Sequence, residues 1–356
     1  MKISLFLCFD DDLYNYQKKF ENLKENLFKI GFDINYTFWI KDLLGIDYKN
    51  MGTGLKVFLE DSKQSASNLL ISTSNLEKTS DGIYFNFDLN ILIIPIENVF
   101  KEEIINQDIL CKLNAQFSCK IFKTFGVTFI NLFEYLKEFK LNNNVFEFLI
   151  TENLKDAKII LRFSLNLDAK IIEQISLNVY KDLMPNVYAD RDINLSTAIF
   201  EILNLRKLKI SCAESMTSGL IANTLIRENM GSSEIINESY IVYSDEAKHE
   251  ILGVSQEILD KFSAVSAETA FEMAVGLLKK NRCDIGLVTT GYANHENSEL
   301  NGLFYTAIGD KNAVHVYKNK FNGTRQEVIQ YGVKLIYFQL LKKLRENTLN
   351  NINFAV

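Results

Sequence analysis

The chain has 356 residues, 47% of them hydrophobic, which is enough for two or three domains with full cores and unlike a disordered protein. Its net charge of −6 excludes nucleic-acid binding as its main business, because neutralising phosphates requires a basic face and no basic run interleaved with aromatics is present. Five scattered cysteines, Cys8, Cys111, Cys119, Cys212 and Cys283, show no CxxC spacing, which argues against a zinc site or a disulfide framework and fits a reducing cytoplasm.

The first apolar run, residues 2–9, is too short to span a membrane and lacks a signal-peptide cleavage pattern. It predicts a buried strand ending at Asp10-Asp11-Asp12, an acidic run read as a solvated loop. A helix over 13–30 and a strand over 33–39 follow, then a polar, irregular stretch to about residue 80. Residues 91–95 and 128–132 read as buried strands, with a helix near 101–114 between them. Strand-like segments at 145–150 and 157–164 flank a turn at Asn153, and a helix over 169–180 leads to Asn186-Val187-Tyr188-Ala189-Asp190.

Next, an apolar strand carrying Leu208, Ile210 and Cys212 breaks into Glu214-Ser215-Met216-Thr217-Ser218-Gly219 and restarts as a helix over 220–227. This pattern puts Ser215 at a helix N-terminus, where backbone amides and the dipole favour an oxygen nucleophile, an oxyanion or a phosphate. Ser, Thr and Glu are also ordinary helix-start residues, which is the plain alternative. Further on, a short strand ends at Tyr243, Ser244 reads as an N-cap, and Lys248 stands one turn inside the next helix. Two such junctions in one parallel sheet bring a hydroxyl, a phenol and an amine to the same sheet edge, where open α/β folds place their sites. Acyl transfer is the chemistry open to that set, provided burial or charge lowers the lysine pKa. His249, about 100° around the helix from Lys248, reads as solvated. A short-chain dehydrogenase is excluded, because Tyr243 and Lys248 are five residues apart instead of four and no glycine fingerprint follows the first strand.

Taken in order, Ala213-Glu214-Ser215-Met216-Thr217-Ser218-Gly219, Gly231-Ser232-Ser233, Tyr243-Ser244-Asp245-Glu246-Ala247-Lys248, Leu252-Gly253-Val254, Ala264-Val265-Ser266 and Thr290-Gly291 resemble the C-terminal domain of the CinA family of competence/damage-inducible proteins. Members of that family are nicotinamide mononucleotide deamidases, which yield nicotinate mononucleotide and ammonia. The resemblance implies Ser215 as nucleophile, Lys248 as general base and Tyr243 as assisting phenol, with no metal and no cofactor. It also implies a small-molecule nucleotide held by Glu214, Thr217, Gly219, Ser232, Ser233, Thr290, Gly291 and Arg325. Glu214 is open to two roles, catalytic acid or structural support, and Arg325 to two, phosphate ligand or surface salt bridge. Arg325 closes Phe321-Asn322-Gly323-Thr324-Arg325, which resembles the family's Phe-x-Gly-Asp-Arg, and Thr324 with Glu327 forms a capping box for the last helix.

The same resemblance implies an α/β chain of several domains. A reduced molybdopterin-binding-like α/β domain would cover 1–142, a small KH-like α+β domain 143–190, a three-layer α/β/α deamidase domain 191–348, and a tail 349–356. The first lacks the family's Gly-Gly-Leu-Gly-Pro-Thr and paired-aspartate motifs, so it is expected to have lost pyrophosphatase activity and to serve as a dimerisation scaffold in a cytoplasmic homodimer. Three departures stand out: Met216 replaces a cysteine, Ser218 a glycine, and Tyr292-Ala293-Asn294-His295-Glu296-Asn297 an Ile-Ala-Gly-Pro and glycine-rich loop. They motivate a second reading, a catalytically silent nucleotide-binding or scaffold protein tied to competence or DNA-damage responses.

Overall fold

Short runs of branched and aromatic residues make the strands of three sheets. The computed structural model describes residues 2–8, 13–39, 54–60, 76–78, 83–86, 91–95, 117–280 and 282–353. The helix expected near 101–114 and the run Asp10-Asp11-Asp12 lie outside these residues. By internal contacts the chain divides into two units, one of Met1–Ile121, Phe129–Thr151 and Lys158–Asp182, the other of Phe122–Thr128, Glu152–Ala157 and Leu183–Val356. Among the described residues no helix is long and apolar enough to cross a membrane.

In the first unit, β1 (Lys2–Cys8), β2 (Asp33–Trp39), β3 (Leu55–Glu60), β4 (Glu77–Lys78), β5 (Tyr84–Asn86) and β6 (Ile91–Pro95) form a sheet of order β2-β1-β3-β6-β5-β4. Its first four strands are mutually parallel. Helix α1 (Leu13–Lys29) brings Leu23 and Leu27, one turn apart, onto Leu5, Val57 and Leu92. The strand β3 corrects the expectation of irregular chain to residue 80. Val57 and Phe58 are fully buried in the middle of the sheet, and a six-residue run between polar flanks is too short to announce itself by period.

A second correction concerns residues 128–132, which begin a helix, α2 (Phe129–Asn142), and not a strand. Leu132 and Leu136 are its buried residues, a spacing of four that fits a helix, whereas Ile130 and Phe133 point to solvent. Strands β7 (Phe117–Phe125), β8 (Phe146–Asn153), β9 (Asp156–Ser164) and β10 (Val187–Ala189) form a sheet of order β10-β7-β9-β8, with α3 (Ala169–Leu183) between β9 and β10. The turn expected at Asn153 falls one residue later, at Leu154 and Lys155, both with positive φ.

The second unit holds α4 (Leu195–Arg206), β11 (Ile210–Glu214), α5 (Leu220–Glu228), β12 (Ile236–Ile241), α6 (Asp245–Leu252), α7 (Gln256–Phe262), α8 (Ala267–Lys279), β13 (Ile285–Gly291), β14 (Leu303–Asp310), β15 (Val314–Lys320) and α9 (Arg325–Asn353). The sheet order is β12-β11-β13-β14-β15, with β11 parallel to both neighbours and β13-β14-β15 an antiparallel meander. Alternation along the strands feeds two cores. Ile210, Cys212, Leu287 and Ile308 pack under α4, α5 and α9, whereas Ala213, Val288 and Ala307 pack under α6, α7 and α8. The sheet is therefore covered on both faces, in three layers.

Where α8 crosses the end of α6, Gly276 lets the two backbones touch: a Cβ there would lie 1.8 Å from the Leu252 carbonyl oxygen. Gly276→Ala is expected to lower the urea midpoint by an amount worth about 2–3 kcal/mol, because backbone cannot move aside. Lys279→Ala, on the exposed side of the same helix, is expected to change stability by no more than about 0.5 kcal/mol in the same titration.

Candidate active site

The site is built at the carboxyl ends of β11, β12 and β13. The Ser215 amide continues the ladder by donating to the Thr289 carbonyl at 3.0 Å, and the Val242 amide donates to the Glu214 carbonyl at 2.9 Å. Ser215 is thereby placed between the ends of both neighbouring strands. Continuing the alternation from Ala213, it faces the layer that contains α6 and Lys248. The Ser215 hydroxyl has no hydrogen bond among the described residues, and none joins it to Lys248.

After Ser215 the chain turns, with the Ser218 amide donating to the Ser215 carbonyl at 3.2 Å and positive φ at Ser218 (51°) and Gly219 (88°). Helix α5 starts only at Leu220, so Ser215 stands before the helix and not at its first amides. Those amides have an internal partner. The fully buried carboxylate of Glu214 accepts from the amides of Ile221 (3.0 Å) and Ala222 (3.1 Å) and from the Thr217 hydroxyl (2.7 Å). The Thr217 and Thr289 hydroxyls are also 2.7 Å apart, which ties the turn to β13. The amides of Met216, Thr217 and Gly219 have no acceptor among the described residues. The buried Met216 side chain ends against α9, where a Cβ on Gly332 would come within 2.8 Å of its methyl carbon.

On the other side, the Ser244 hydroxyl caps α6 by accepting from the Ala247 amide at 3.1 Å. Lys248 is only 1% exposed. Its ammonium donates to the carbonyls of Tyr243 (3.1 Å) and Ser244 (3.4 Å), and Asp245 Oδ1 is 3.8 Å away. Burial holds the Lys248 pKa below the ordinary lysine range, and the Asp245 charge opposes that shift. Tyr243 meets Lys248 through its carbonyl, while its side chain is 63% exposed. His249 is exposed and donates from Nδ1 to the Val254 carbonyl at 2.7 Å.

Thr290 is fully buried and donates to the Ala264 carbonyl at 2.6 Å, which engages its hydroxyl in bracing the segment before α8. Gly291 ends β13 opposite Phe304. The loop that follows is closed by asparagine side chains: Asn301 Oδ1 accepts from the His295 amide (3.1 Å), Asn297 Oδ1 from the Glu299 amide (2.8 Å), and His295 Nδ1 from the Asn297 amide (3.0 Å). The capping box expected of Thr324 and Glu327 is formed in both directions. Arg325 beside it is exposed and has no partner among the described residues. It lies at the same sheet edge, since the Phe321 amide donates to the Gly302 carbonyl, next to the start of β14.

Ser232 and Ser233 are not brought to this edge. Helix α5 returns the chain to the opposite end of the sheet, where the Ile235 carbonyl accepts from the Ile210 amide at 2.7 Å, and the two serines precede that point. Two contributors carry no role in the sequence reading, Asp245 beside Lys248 and Thr289 beside Thr217. Asp245 belongs to the Tyr243–Lys248 motif, whereas Thr289 meets Thr217 through strand register, which no local pattern encodes. Among the described residues no group of three or more His, Cys, Asp or Glu side chains is arranged to hold a metal ion.

Residues 192–344 match the family model of the CinA C-terminal domain. The chain is similar to a putative competence-damage inducible protein of Clostridium beijerinckii, with 40% identity over 182 residues, 49% of this chain and 44% of the relative. It is also similar to a CinA-like protein of Fusobacterium nucleatum, with 34% identity over 239 residues, 65% of this chain and 57% of the relative. A crystal structure of a CinA superfamily protein from Klebsiella pneumoniae is 27% identical and covers 43% of this chain and 96% of that one, with a TM-score of 0.41. The chain spans about half the length of the curated relatives it matches.

Glu214→Ala strips three donors of their acceptor and is expected to destabilise the protein by about 2–4 kcal/mol in a denaturant titration. Ser218→Gly relieves a left-handed backbone and is expected to raise stability by about 1 kcal/mol in the same measurement.

Proposed function

Because this chain belongs to the CinA family through its C-terminal domain, we propose that it is an amidohydrolase that converts nicotinamide mononucleotide to nicotinate mononucleotide and ammonia. The observation that carries this reading is the burial of Lys248 at the sheet edge that also presents a Ser215 hydroxyl with no hydrogen bond among the described residues. A lysine depressed by burial is the kind of base a serine nucleophile needs.

In this mechanism Ser215 Oγ bonds to the carboxamide carbon as its proton passes to neutral Lys248. The oxyanion that forms is met by the amides of Met216 and Thr217, and losing one such donor costs about 3 kcal/mol of barrier. The C–N bond then breaks, and Lys248 returns the proton to the departing ammonia. Water attacks the resulting ester and gives a proton to Lys248, which hands it to Ser215 as the acid is released. Arg325, without a partner among the described residues, would meet the 5′-phosphate. The N-terminal regions would be the reduced molybdopterin-binding-like and KH-like domains of a longer family architecture, in a homodimer. One feature favours the silent nucleotide-binding reading, the asparagine-braced loop standing where the family's pocket loop is glycine-rich.

Purified protein is expected to release ammonia from nicotinamide mononucleotide, and Ser215→Ala and Lys248→Met to lose that activity by roughly 10³-fold or more. Lys248→Met removes a buried charge and is expected to fold at least as stably as the wild type. The base must be neutral, so kcat/KM should rise with pH up to the Lys248 pKa, which burial places below the ordinary lysine value, and level off above it. A folded wild type that binds the nucleotide without turnover would establish the silent reading instead.

A further inference from the structure

Lys248 is held by oxygens from three consecutive residues, and they are not equivalent. A neutral amine has two N–H donors and one lone pair, and the carbonyls of Tyr243 and Ser244 match the two donors. Those two acceptors fix the aim of the side chain in either protonation state. The third oxygen, Asp245 Oδ1, stands 3.8 Å away on a side chain that is 54% exposed. It offers nothing to the neutral amine and a counter-charge to the ammonium. Removing the carboxylate should therefore leave the aim of Lys248 intact and change only how readily it holds a proton.

Resting on the amidase reading above, we propose that Asp245 is a positioning residue that sets the charge of Lys248, holding it as ammonium in the free enzyme and so fixing the pH at which it becomes available as a base. Asp245 does this through Lys248 and need touch no substrate. Other titratable groups near Lys248 are already engaged or directed elsewhere. Glu214 at the end of β11 is occupied by three donors, Glu272 on α8 accepts from the Ser255 amide, and the Tyr243 phenol is exposed. On α6 itself Glu246, His249 and Glu250 lie on the exposed side. Among the described residues Asp245 is the charged group paired with Lys248, and it opposes the effect of burial. Half-exposure makes this a modest opposition, smaller than that of a buried pair. A carboxylate so placed can also be neutralised or screened from solution, so the base is tuned from outside the pocket.

The test is a pH titration of the full chain labelled with ¹³C at the lysine ε-carbons, with the Lys248 resonance assigned by its loss in Lys248→Met. Asp245→Asn is expected to lower the Lys248 pKa by about half a unit to one unit, and Asp245→Glu to leave it nearly unchanged. The rising limb of kcat/KM for ammonia release should move to lower pH by the same amount, which makes Asp245→Asn roughly three- to tenfold faster than the wild type below that limb. A Lys248 resonance that titrates at the same pH in the wild type and in folded Asp245→Asn overturns the proposal, whatever the activity does. A resonance that moves in a protein with no turnover at any pH supports the charge-setting role and overturns the amidase reading, so the two fail separately.

Discussion

Burying a carboxylate is unfavourable unless donors meet its charge, and Glu214 is met by three. Two of them are amides that every α-helix leaves open at its start, so the cost of burying the acid and the cost of starting α5 offset each other. The consequence reaches past the helix. Because the acid that satisfies α5 comes from the end of β11, the residues between, 215–219, form a separate, largely buried turn ahead of the helix. The Thr217 hydroxyl, shared between Glu214 and Thr289, carries the same constraint across to β13. Strand end, turn and helix are thus one unit, and it leaves the amides of Met216 and Thr217 with no acceptor among the described residues.

Glu214 and Lys248 form an instructive pair, since both are buried ionisable groups near the ends of adjacent strands. Glu214 accepts from three neutral donors, two helix amides and a hydroxyl, which suits a structural role. Lys248 receives two neutral carbonyls, which accept from the amine and the ammonium alike, and one partial counter-charge at 3.8 Å. Burial then weighs against its proton. Of the two groups, the one whose charge is incompletely met is the one suited to exchange protons, which is why perturbed lysines mark reactive sites.

Legibility in the sequence followed range. The caps at Ser244 and Thr324 could be read because each side chain meets an amide three residues away. The strand-turn-helix order around Ser215 was equally plain. The Glu214 role was not, because its amide partners lie seven and eight residues on, and the Thr217–Thr289 bond spans 72. Residues 128–132 and β3 show the other limit: short apolar runs carry too few periods to separate strand from helix or loop. Ser232 and Ser233 were grouped with the site by motif order, and only the return path of α5 reveals that they belong to the opposite sheet end.

The departures around Ser215 have a geometric logic of their own. Met216 is directed away from the face that holds Lys248, into the core under α9, and Gly332 leaves there the room that its longer side chain fills. Ser218 adopts the left-handed backbone that a glycine would take more cheaply, so the turn keeps its path at some local strain. After Gly291, asparagine and histidine side chains supply the bonds that close the loop. In each case the backbone course is braced from elsewhere, by Glu214, by Thr289 or by the start of β14. The placement of the Ser215 hydroxyl, the turn amides and Lys248 therefore depends on that backbone course more than on the side chains of Met216, Ser218 and the loop after Gly291.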